Sequence, residues 1–362
     1  MAGTSTSGQV QGPPDSVCII RLSAIGDCCH TVPVLRTLQS AWPSASFTWV
    51  IGATEAHLIG DIPGVEFVVL DKNKGAKGYL SVRRALRKRR FDVLLHMHAS
   101  MRANLVSLLV SAPYRLGFDR VRARDRQWLF TNQRIADRPK QHAMDALFGF
   151  AQHLGVSDRV LRWDIPVSDA DRSVIDDRIQ SNRKSLIISP CSSQRFRNHR
   201  NWSAERYAAV ADHAVERHDM QVVLTGGNSS LEREYAERIA SLSQHTTVNL
   251  VGQTTLKQLL VLLERATAVL CPDSGPAHMA TAVGTPVIGL YATSNPARTG
   301  PYLSQHWVVN KYPEAVAAQF GNDVDGLRWG TRVRNPQAMD LIQTKEVTTK
   351  LDQIIAGTTM SP

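Results

Sequence analysis

The sequence predicts an α/β protein of two doubly wound, Rossmann-like domains that face a central cleft. Apolar runs of strand length alternate with longer amphipathic segments from residue 17 onward, which is typical of parallel sheets covered by helices. The 362 residues exceed the usual size of one compact core and suggest two domains of about 150 to 200 residues each. Because parallel strands end at one edge of a sheet, ligands are expected beside the loops that follow the strands.

Strands are predicted at the apolar runs, which are residues 17–22, 47–51, 65–70 and 91–96 in the first domain and 185–189, 221–225, 247–251, 268–271 and 286–291 in the second. Residues 1–16 are rich in Gly, Ser, Thr, Gln and Pro and are expected to form a disordered leader. The domains are expected to span 17–168 and 169–337. The last segment, 338–362, contains a helix without a strand partner, which is expected to pack across the interdomain seam.

Composition indicates a folded globular protein with an acidic partner. Hydrophobic residues make up 43% of the chain and charged residues 20%, and the formal net charge is +10. Nucleic acid, an anionic membrane surface and a phosphorylated substrate all remain open as partners. No run of about 18 apolar residues occurs, so no bilayer-spanning segment is predicted. The five cysteines lie in or beside apolar runs without C-x-x-C spacing, which indicates reduced cytosolic thiols.

The most informative motif is Asp273-Ser-Gly-Pro-Ala-His278, between an apolar run and a helical segment. A strand that turns through small residues into a helix presents free backbone N–H groups, and such a helix start binds phosphate well. The motif therefore predicts a nucleotide-phosphate site. In the alternative interpretation, Asp273 or Ser274 only caps an ordinary helix.

A second motif, Arg21-Leu-Ser-Ala-Ile-Gly-Asp27, follows the first predicted strand. Gly26 permits a tight backbone path, and Asp27 would then stand at a helix start with a carboxylate that can accept a proton. Asp is also favoured as a helix cap, so a capping role for Asp27 stays open. The loop lacks G-x-G-x-x-G, which argues against a dinucleotide-dependent dehydrogenase.

A third loop, residues 189–193, is followed by Arg195, Arg197 and Arg200. Small hydroxyl residues beside guanidinium groups suit the oxygens of a pyrophosphate, since arginine offers bidentate hydrogen bonds. A solvated basic loop is the alternative. Asn249, at the end of another strand, would border an adenine or a ribose.

The basic run 83–90 has helical spacing and predicts contact with anionic lipid or a phosphorylated acceptor, or else a solvated helix face. His98 and His142 are candidate functional residues, although a histidine at a strand end is more often structural. Carboxylates are too sparse near them for a metal site, and none is expected.

The Asp27 motif, with His30-Thr-Val-Pro33 after it, and the Asp273 motif together resemble the lipopolysaccharide heptosyltransferases of glycosyltransferase family 9. The resemblance runs from about residue 17 to residue 300. It implies a GT-B fold with an N-terminal acceptor domain and a C-terminal domain that binds ADP-heptose, without metal or cofactor. It also implies a Gram-negative bacterial source and a cytoplasmic enzyme, peripheral on the cytosolic face of the inner membrane.

The resemblance assigns roles by position. Asp27 matches the catalytic general base, and Arg200 stands where many relatives have a lysine before the tryptophan that is Trp202 here. Asp273, Ser274, Gly275 and His278 match the family's donor loop. Further donor-side candidates, taken from their positions after strands rather than from the resemblance, are Ser192, Ser193, Asn249 and Pro276. The acceptor-side candidates are Ser23, Gly26, His98, Arg102 and His142.

The implied acceptor is a lipid A-Kdo type molecule, and contact with the anionic inner membrane is assigned to the basic run 83–90. A related sugar-nucleotide transferase with another acceptor is one alternative. A non-catalytic nucleotide or nucleic-acid binding protein is another. No specific nucleic acid is expected, since the chain lacks the alternation of aromatic and basic residues found in single-strand binders.

Overall fold

The computed structural model describes residues 12–180, 182–193 and 198–357. The described chain forms two compact units, the first containing residues up to Arg138 together with Met144–Ile165. The second contains Pro139–Ala143 and the residues from Pro166 onward. Residues 139–143, predicted in the first domain, thus belong to the second unit. Most of the predicted leader, residues 1–11, lies outside the described residues, and the predicted boundaries at 168 and 337 stay predictions.

The described part of the first unit contains a parallel six-stranded sheet with helices between its strands. The strands are β1 (Ser16–Ile20), β2 (Ser46–Gly52), β3 (Val65–Leu70), β4 (Val93–His96), β5 (Tyr114–Gly117) and β6 (Gln133–Arg134). The helices are α1 (Ile25–Ala41), α2 (Ala53–Ile59), α3 (Ala76–Leu86), α4 (Met101–Ser107) and α5 (Ala143–His153), with short 3₁₀ helices at Lys72–Lys74 and Gln127–Leu129.

The described part of the second unit repeats this architecture. Its parallel strands are β7 (Ser185–Ile188), β8 (Gln221–Leu224), β9 (Val248–Asn249), β10 (Ala268–Pro272), β11 (Val287–Tyr291) and β12 (Val309–Asn310). Its α-helices are α6 (Asp169–Asp176), α7 (Ala204–His218), α8 (Ser230–Leu242), α9 (Leu256–Glu264), α10 (Gly275–Ala282), α11 (Pro296–Thr299), α12 (Tyr312–Phe320) and α13 (Thr344–Ile355), and 3₁₀ helices span Gln305–Trp307 and Ala338–Leu341.

The two sheets share one strand order. The first runs β3-β2-β1-β4-β5-β6, and the second runs β12-β11-β10-β7-β8-β9, which is the same order read from the other edge. The order reverses between β1 and β4 in the first sheet and between β7 and β10 in the second, and these adjacent pairs form the switch points. Ligands of doubly wound sheets bind beyond the carboxyl ends of the strands at such a switch point. The predicted α/β class with two doubly wound sheets is confirmed.

The predicted strands are present, and their ends lie within two residues of the predicted ones. Strands β5, β6 and β12 are absent from the predicted set, since they are short and two of them have only two residues each. Such strands lack the apolar run that identified the others, and they are recognised only through pairing with a neighbouring strand. The predicted helix from residue 338 is interrupted. A 3₁₀ helix ends at Leu341, Ile342 is extended, and its carbonyl accepts a hydrogen bond from the Trp202 indole Nε1 at 3.1 Å.

The C-terminal helix is part of the core of the second unit. Val347 and Leu351 on α13 are fully buried in the same apolar cluster as Tyr207, Val210 and other residues of α7. The expectation that this segment also packs across the seam stays a prediction. No helix in the described ranges is both long and apolar enough to cross a bilayer.

Replacing Leu351 by alanine should lower the free energy of unfolding by about 2–5 kcal/mol, since the cavity would lie in the core of the second unit. The matched control is Leu341→Ala in the preceding segment, where the leucine is exposed and a change within about 0.5 kcal/mol is expected. Denaturant unfolding followed by circular dichroism measures both. Equal losses would contradict the core position of α13.

Candidate active site

The switch point of the first unit is bridged by a buried arginine. Arg21 follows β1 directly, and its Nη1 donates to the carbonyl of Met97, the residue after β4, at 2.6 Å. The loop after β1 also contacts the loop after β4 through the backbone N–H of Leu22, which donates to His98 Nδ1 at 3.1 Å. Arg21 has no predicted role of its own, although it is a single charged residue beside an otherwise apolar run.

Asp27 lies in the first turn of α1 and forms an ion pair with Arg21. Its side chain is 41% exposed, so it is not buried within its own unit. A neighbouring guanidinium favours the ionised form of a carboxylate, which is the form that a general base requires. Asp27 also accepts a long 3.5 Å hydrogen bond from the backbone N–H of Ala24, the N-cap residue. The capping contact that the sequence left open is therefore present, but it is weak.

His98 is neutral at physiological pH. Burial is the main cause that lowers its pKa to about 3, and Arg21 lowers it further while Asp27 acts in the opposite direction. Because Nδ1 accepts from Leu22, the neutral ring carries its proton on Nε2. Arg102 is also close enough to contribute to this pKa. The structure thus brings Asp27, His98 and Arg102 together with Arg21 at one edge of the sheet.

The other predicted acceptor-side residues are divided between the units. Ser23 and Gly26 lie in or beside the Asp27 loop, Gly26 being buried in the first turn of α1. His142 belongs to the second unit, where its Nε2 lies 2.9 Å from the carbonyl of Gly300 and its ring packs against Tyr302. His142 was expected in the first domain, but it lies in the second unit because residues 139–143 pack there.

An arginine also bridges the switch point of the second unit. Arg200, in the loop after β7, donates from Nη1 to the carbonyl of Asp273 at 2.6 Å and to its carboxylate at 3.0 Å. Its Nε donates to Asn198 Oδ1 at 2.6 Å. Both charged side chains are about nine-tenths buried. These contacts hold the guanidinium in place and leave Nη2 uncommitted among the described residues.

The start of α10 lacks a side-chain cap. Ser274 is the N-cap residue, but its hydroxyl donates to the carbonyl of Pro272 at 3.1 Å. The Asp273 carboxylate is occupied by Arg200. The alternative that Asp273 or Ser274 merely caps this helix is therefore wrong, and the first turn, with Gly275 and Pro276, remains suited to an external anion. His278 is buried in the same helix.

The predicted serine loop is held by two asparagines that the sequence analysis did not single out. Asn201 Oδ1 accepts from the backbone N–H and the hydroxyl of Ser192, at 2.8 and 3.0 Å. Asn198 Nδ2 donates to the Ser192 hydroxyl at 2.9 Å and to the carbonyl of Ser193 at 2.6 Å. The sequence offered only the polar composition of this loop as an indication of the two asparagines. Arg195 and Arg197 lie outside the described residues.

Asn249 turns its side chain to its own loop. It is the last residue of β9, and its Oδ1 accepts from the backbone N–H of Val251 at 3.1 Å. In the loop after the neighbouring β8, the Gly227 N–H and the Ser229 hydroxyl donate to Glu232, in the first turn of α8, at 2.8 and 2.6 Å. These contacts fix both loops at the carboxyl edge of the second sheet.

Another cluster of titratable residues lies away from this edge. Ligand-type atoms of His213, His218 and Asp352 lie within 4.8 Å of one another, with both Nε2 atoms 2.6–2.7 Å from Asp352 Oδ1. Burial acts to raise the pKa of Asp352, but the two hydrogen bonds outweigh it and lower the pKa. The histidines lie in the second half of α7, whereas Arg200 precedes the start of that helix, so the cluster is separate from the site.

The cysteine thiols are buried, and two of them contact the site loops, Cys28 at the carbonyl of Arg21 and Cys271 at the side chain of Ser274. All five are free and buried. Burial raises the pKa of Cys18, Cys29, Cys191 and Cys271 to about 12, so these thiols stay protonated and unreactive.

Two doubly wound parallel sheets, each with charged side chains at its switch point, define an α/β protein of the GT-B fold class. Residues 79–323 match the profile of glycosyltransferase family 9 (heptosyltransferase). The lipopolysaccharide core heptosyltransferase OpsX of Haemophilus influenzae is 40% identical over 334 residues, which cover 92% of this chain and 95% of that protein.

Solved structures agree with this fold. A family 9 glycosyltransferase from Veillonella parvula superposes with a TM-score of 0.78 at 21% identity, covering 95% of this chain and 98% of its own. The ADP-heptose lipopolysaccharide heptosyltransferase II of Escherichia coli gives 0.71 at 22% identity, covering 94% and 99%. The chain belongs to glycosyltransferase family 9. It is therefore an enzyme that transfers a glycosyl group, and the alternative of a non-catalytic binding protein is not supported.

Acidification should destabilise the first unit through His98. An unfolded histidine takes up a proton near pH 6.5, whereas folded His98 does so only near pH 3, so stability falls as pH falls between these values. His98→Asn can still accept the Leu22 hydrogen bond but does not titrate. The free energy of unfolding, measured with denaturant, should fall between about pH 7 and pH 5 in both proteins. The fall should be about 1–2 kcal/mol smaller in the variant than in the parent chain.

The exposed His57, replaced by asparagine in the same way, is the control, because solvent reaches it in the folded and the unfolded chain alike. A pH dependence that is the same for His98→Asn and for the parent would contradict the buried, neutral state of His98.

Proposed function

We propose that the enzyme moves heptose from ADP-heptose to the Kdo/heptose inner core of lipopolysaccharide with inversion at the anomeric carbon. Support for the donor comes chiefly from Arg200, which is buried and fixed on Asp273 beside the uncapped start of α10. Fixed cations and free backbone N–H groups suit a diphosphate. Support for the acceptor comes from relatives such as OpsX, named a lipopolysaccharide core heptosyltransferase.

Asp27 is the general base of this reaction. Its carboxylate takes the proton of the acceptor hydroxyl while that oxygen forms a bond to the anomeric carbon. The bond from this carbon to the diphosphate oxygen breaks in the same step, and ADP leaves from the opposite face. Arg21 keeps the carboxylate ionised before the step and oriented by its ion pair. One displacement accounts for the inversion.

Charge that develops on the departing diphosphate is stabilised by the protein. The Nη2 group of Arg200 and the first-turn N–H groups of α10 are the donors, and both are held before substrate arrives. Donors fixed in this way stabilise a transition state more than a ground state. This arrangement supports a mechanism without a metal ion. Ser192, Ser193 and Asn249 complete the donor contacts in the proposal.

The enzyme works as a peripheral protein on the cytosolic face of the inner membrane, where it reaches a lipid A-Kdo type acceptor. Residues 83–90 contribute cations for anionic lipid, with Arg83, Arg84 and Arg87 exposed. Arg89 is excluded from this role, because it pairs with Glu66 at 2.7 Å and donates to the Thr48 hydroxyl at 2.9 Å. The basic run therefore divides into a lipid-facing part and a structural part.

Asp27→Asn should keep ADP-heptose binding and lower the rate of transfer about 10²- to 10⁴-fold, because an amide cannot accept the proton. Steady-state transfer read by mass spectrometry, with ADP binding by isothermal titration, measures both effects. Asp137→Asn, at an exposed carboxylate of the same unit, is the matched control. A transfer rate near that of the parent would remove Asp27 from the mechanism.

Arg200→Ala should weaken ADP binding about tenfold to a hundredfold and lower turnover about 10²- to 10³-fold, because the leaving diphosphate loses a charged donor. Arg200→Lys should recover part of both losses, since the charge remains while the fork geometry is lost. Titration with ADP and steady-state rates provide the measurements.

Arg200→Ala leaves the Asp273 carboxylate buried without its cation, which can destabilise the fold. The double variant Arg200→Ala with Asp273→Asn removes that buried charge. Comparing the stability of the two variants separates a folding defect from a loss of catalysis. Arg217→Ala, an exposed arginine in the last turn of α7, is the control for lost charge. Unchanged binding and turnover in Arg200→Ala would reduce the loop to a solvated surface.

A further inference from the structure

The outer side of α4 is apolar and exposed. Met101, Leu105 and Leu108 recur at spacings of four and three residues and therefore share one side of the helix, with exposed fractions of 47%, 47% and 64%. Ala103 and Val106 on the opposite side are buried in the apolar cluster of the first unit. The helix thus packs normally on its sheet and presents a second apolar side to solvent.

A neighbouring 3₁₀ helix, Gln127–Leu129, exposes two more large apolar side chains. Gln127 is fully buried; its Nε2 donates to the carbonyl of His96 at 2.8 Å, and its Oε1 accepts from the Phe118 N–H at 3.2 Å. These bonds fix the short helix to the end of β4. Trp128 and Leu129 project outward, 38% and 68% exposed. Their exposure is therefore built into the fold.

The two elements are held side by side. Asp125 accepts from the backbone N–H of Met101 at 2.8 Å, and its carbonyl accepts from Asn104 Nδ2 at 2.7 Å. At the other end Arg115 donates to the carbonyl of Ser107 at 2.7 Å and to that of Phe130 at 2.9 Å. The exposed side chains of both elements, here termed the α4 surface, are Met101, Leu105, Leu108, Trp128 and Leu129.

Cations border the α4 surface. Arg120, Arg124 and Arg126, in the turn before the 3₁₀ helix, are exposed and form no ion pair within the part of the chain that the structure describes. Asp125, the acid among them, uses a carboxylate oxygen on the α4 backbone. On the other side, α3 packs into the same apolar cluster as α4, so the exposed arginines of the 83–90 run flank the same layer.

We propose that the α4 surface docks on an anionic lipid bilayer, with its apolar side chains in the interface and the bordering arginines on lipid phosphates. Exposed apolar clusters rimmed by cations bind such interfaces, and tryptophan is favoured at this depth. A second copy of the chain fits less well, because arginines of like charge would face one another. The proposal rests on the proposed function for its lipid-borne acceptor.

The position of the α4 surface suits that acceptor. α4 begins shortly after His98, and Arg102 in its first turn contributes to the pKa of His98 beside Asp27. A bilayer at this surface would therefore lie next to the acceptor-side residues of the same unit. The 83–90 run adds long-range attraction, whereas the α4 surface supplies the apolar contact that the run lacks.

The test measures co-sedimentation of the full chain with vesicles of phosphatidylethanolamine and phosphatidylglycerol. Combining Leu105→Ser, Leu108→Ser and Leu129→Ser should weaken partitioning roughly tenfold or more, since three apolar side chains no longer enter the interface. Leu242→Ser with Leu303→Ser, at exposed leucines of the second unit, should leave partitioning unchanged.

The charged border is tested by replacing Arg120, Arg124 and Arg126 with glutamine. Partitioning onto the anionic vesicles should fall roughly tenfold to a hundredfold at low salt, and much less on vesicles of phosphatidylcholine. The control replaces Arg217, Arg328 and Lys345 of the second unit with glutamine, which removes the same charge from another surface.

Unchanged partitioning of the serine variant would overturn the proposal, as would an equal loss in the leucine control. Self-association of the parent chain that the serine variant abolishes, with vesicle binding intact, would assign the α4 surface to a second copy instead. Transfer to a deacylated, water-soluble acceptor should stay unchanged in the serine variant. The parent chain could fail to transfer heptose to the water-soluble acceptor while the serine and glutamine variants still partition onto vesicles as expected. That result would contradict the proposed function and leave the docking surface supported.

Discussion

A buried arginine crosses the point where the strand order reverses in each unit, and the site residues depend on this bridge. Arg21 bonds the carbonyl of the residue after β4, and Arg200 bonds the carbonyl of the residue after β10, both at 2.6 Å. Loops at a switch point diverge to opposite faces of the sheet and leave a gap with unpaired backbone groups. A guanidinium, with donors in a fixed fork, closes such a gap while keeping other donors for a further partner.

The remaining contacts of the two arginines give the units different chemistry. In the first unit Arg21 pairs with the half-exposed Asp27, so a carboxylate that solvent reaches is held beside a guanidinium. In the second unit Arg200 pairs with the buried Asp273, so the carboxylate is consumed and a cationic edge remains. One architecture therefore places a partly exposed carboxylate in one unit and a buried, fixed guanidinium in the other, and the proposed mechanism assigns proton acceptance to the first and diphosphate binding to the second.

The α4 surface and the edge that holds Asp27 and His98 share a structural origin in the first unit. The loop after β4 carries His98, leads into α4 and is fixed by Gln127 on the carbonyl of His96. A short helix that packs one side on the sheet has little room to bury its other side. The two proposals, an acceptor site beside His98 and a lipid-docking surface on α4, therefore concern one continuous chain segment.

The sequence by itself determined the sheets and their longer strands, because apolar runs identify strands buried on both faces. It also located Asp27, Arg200 and the Asp273 loop, since motifs directly after strands must lie at the carboxyl edge. Only the tertiary structure decided their partners. Arg21 with Met97, Arg200 with Asp273 and His142 with Gly300 are separated by 76, 73 and 158 residues, respectively. Pairing over such distances follows from strand order, which local patterns do not encode.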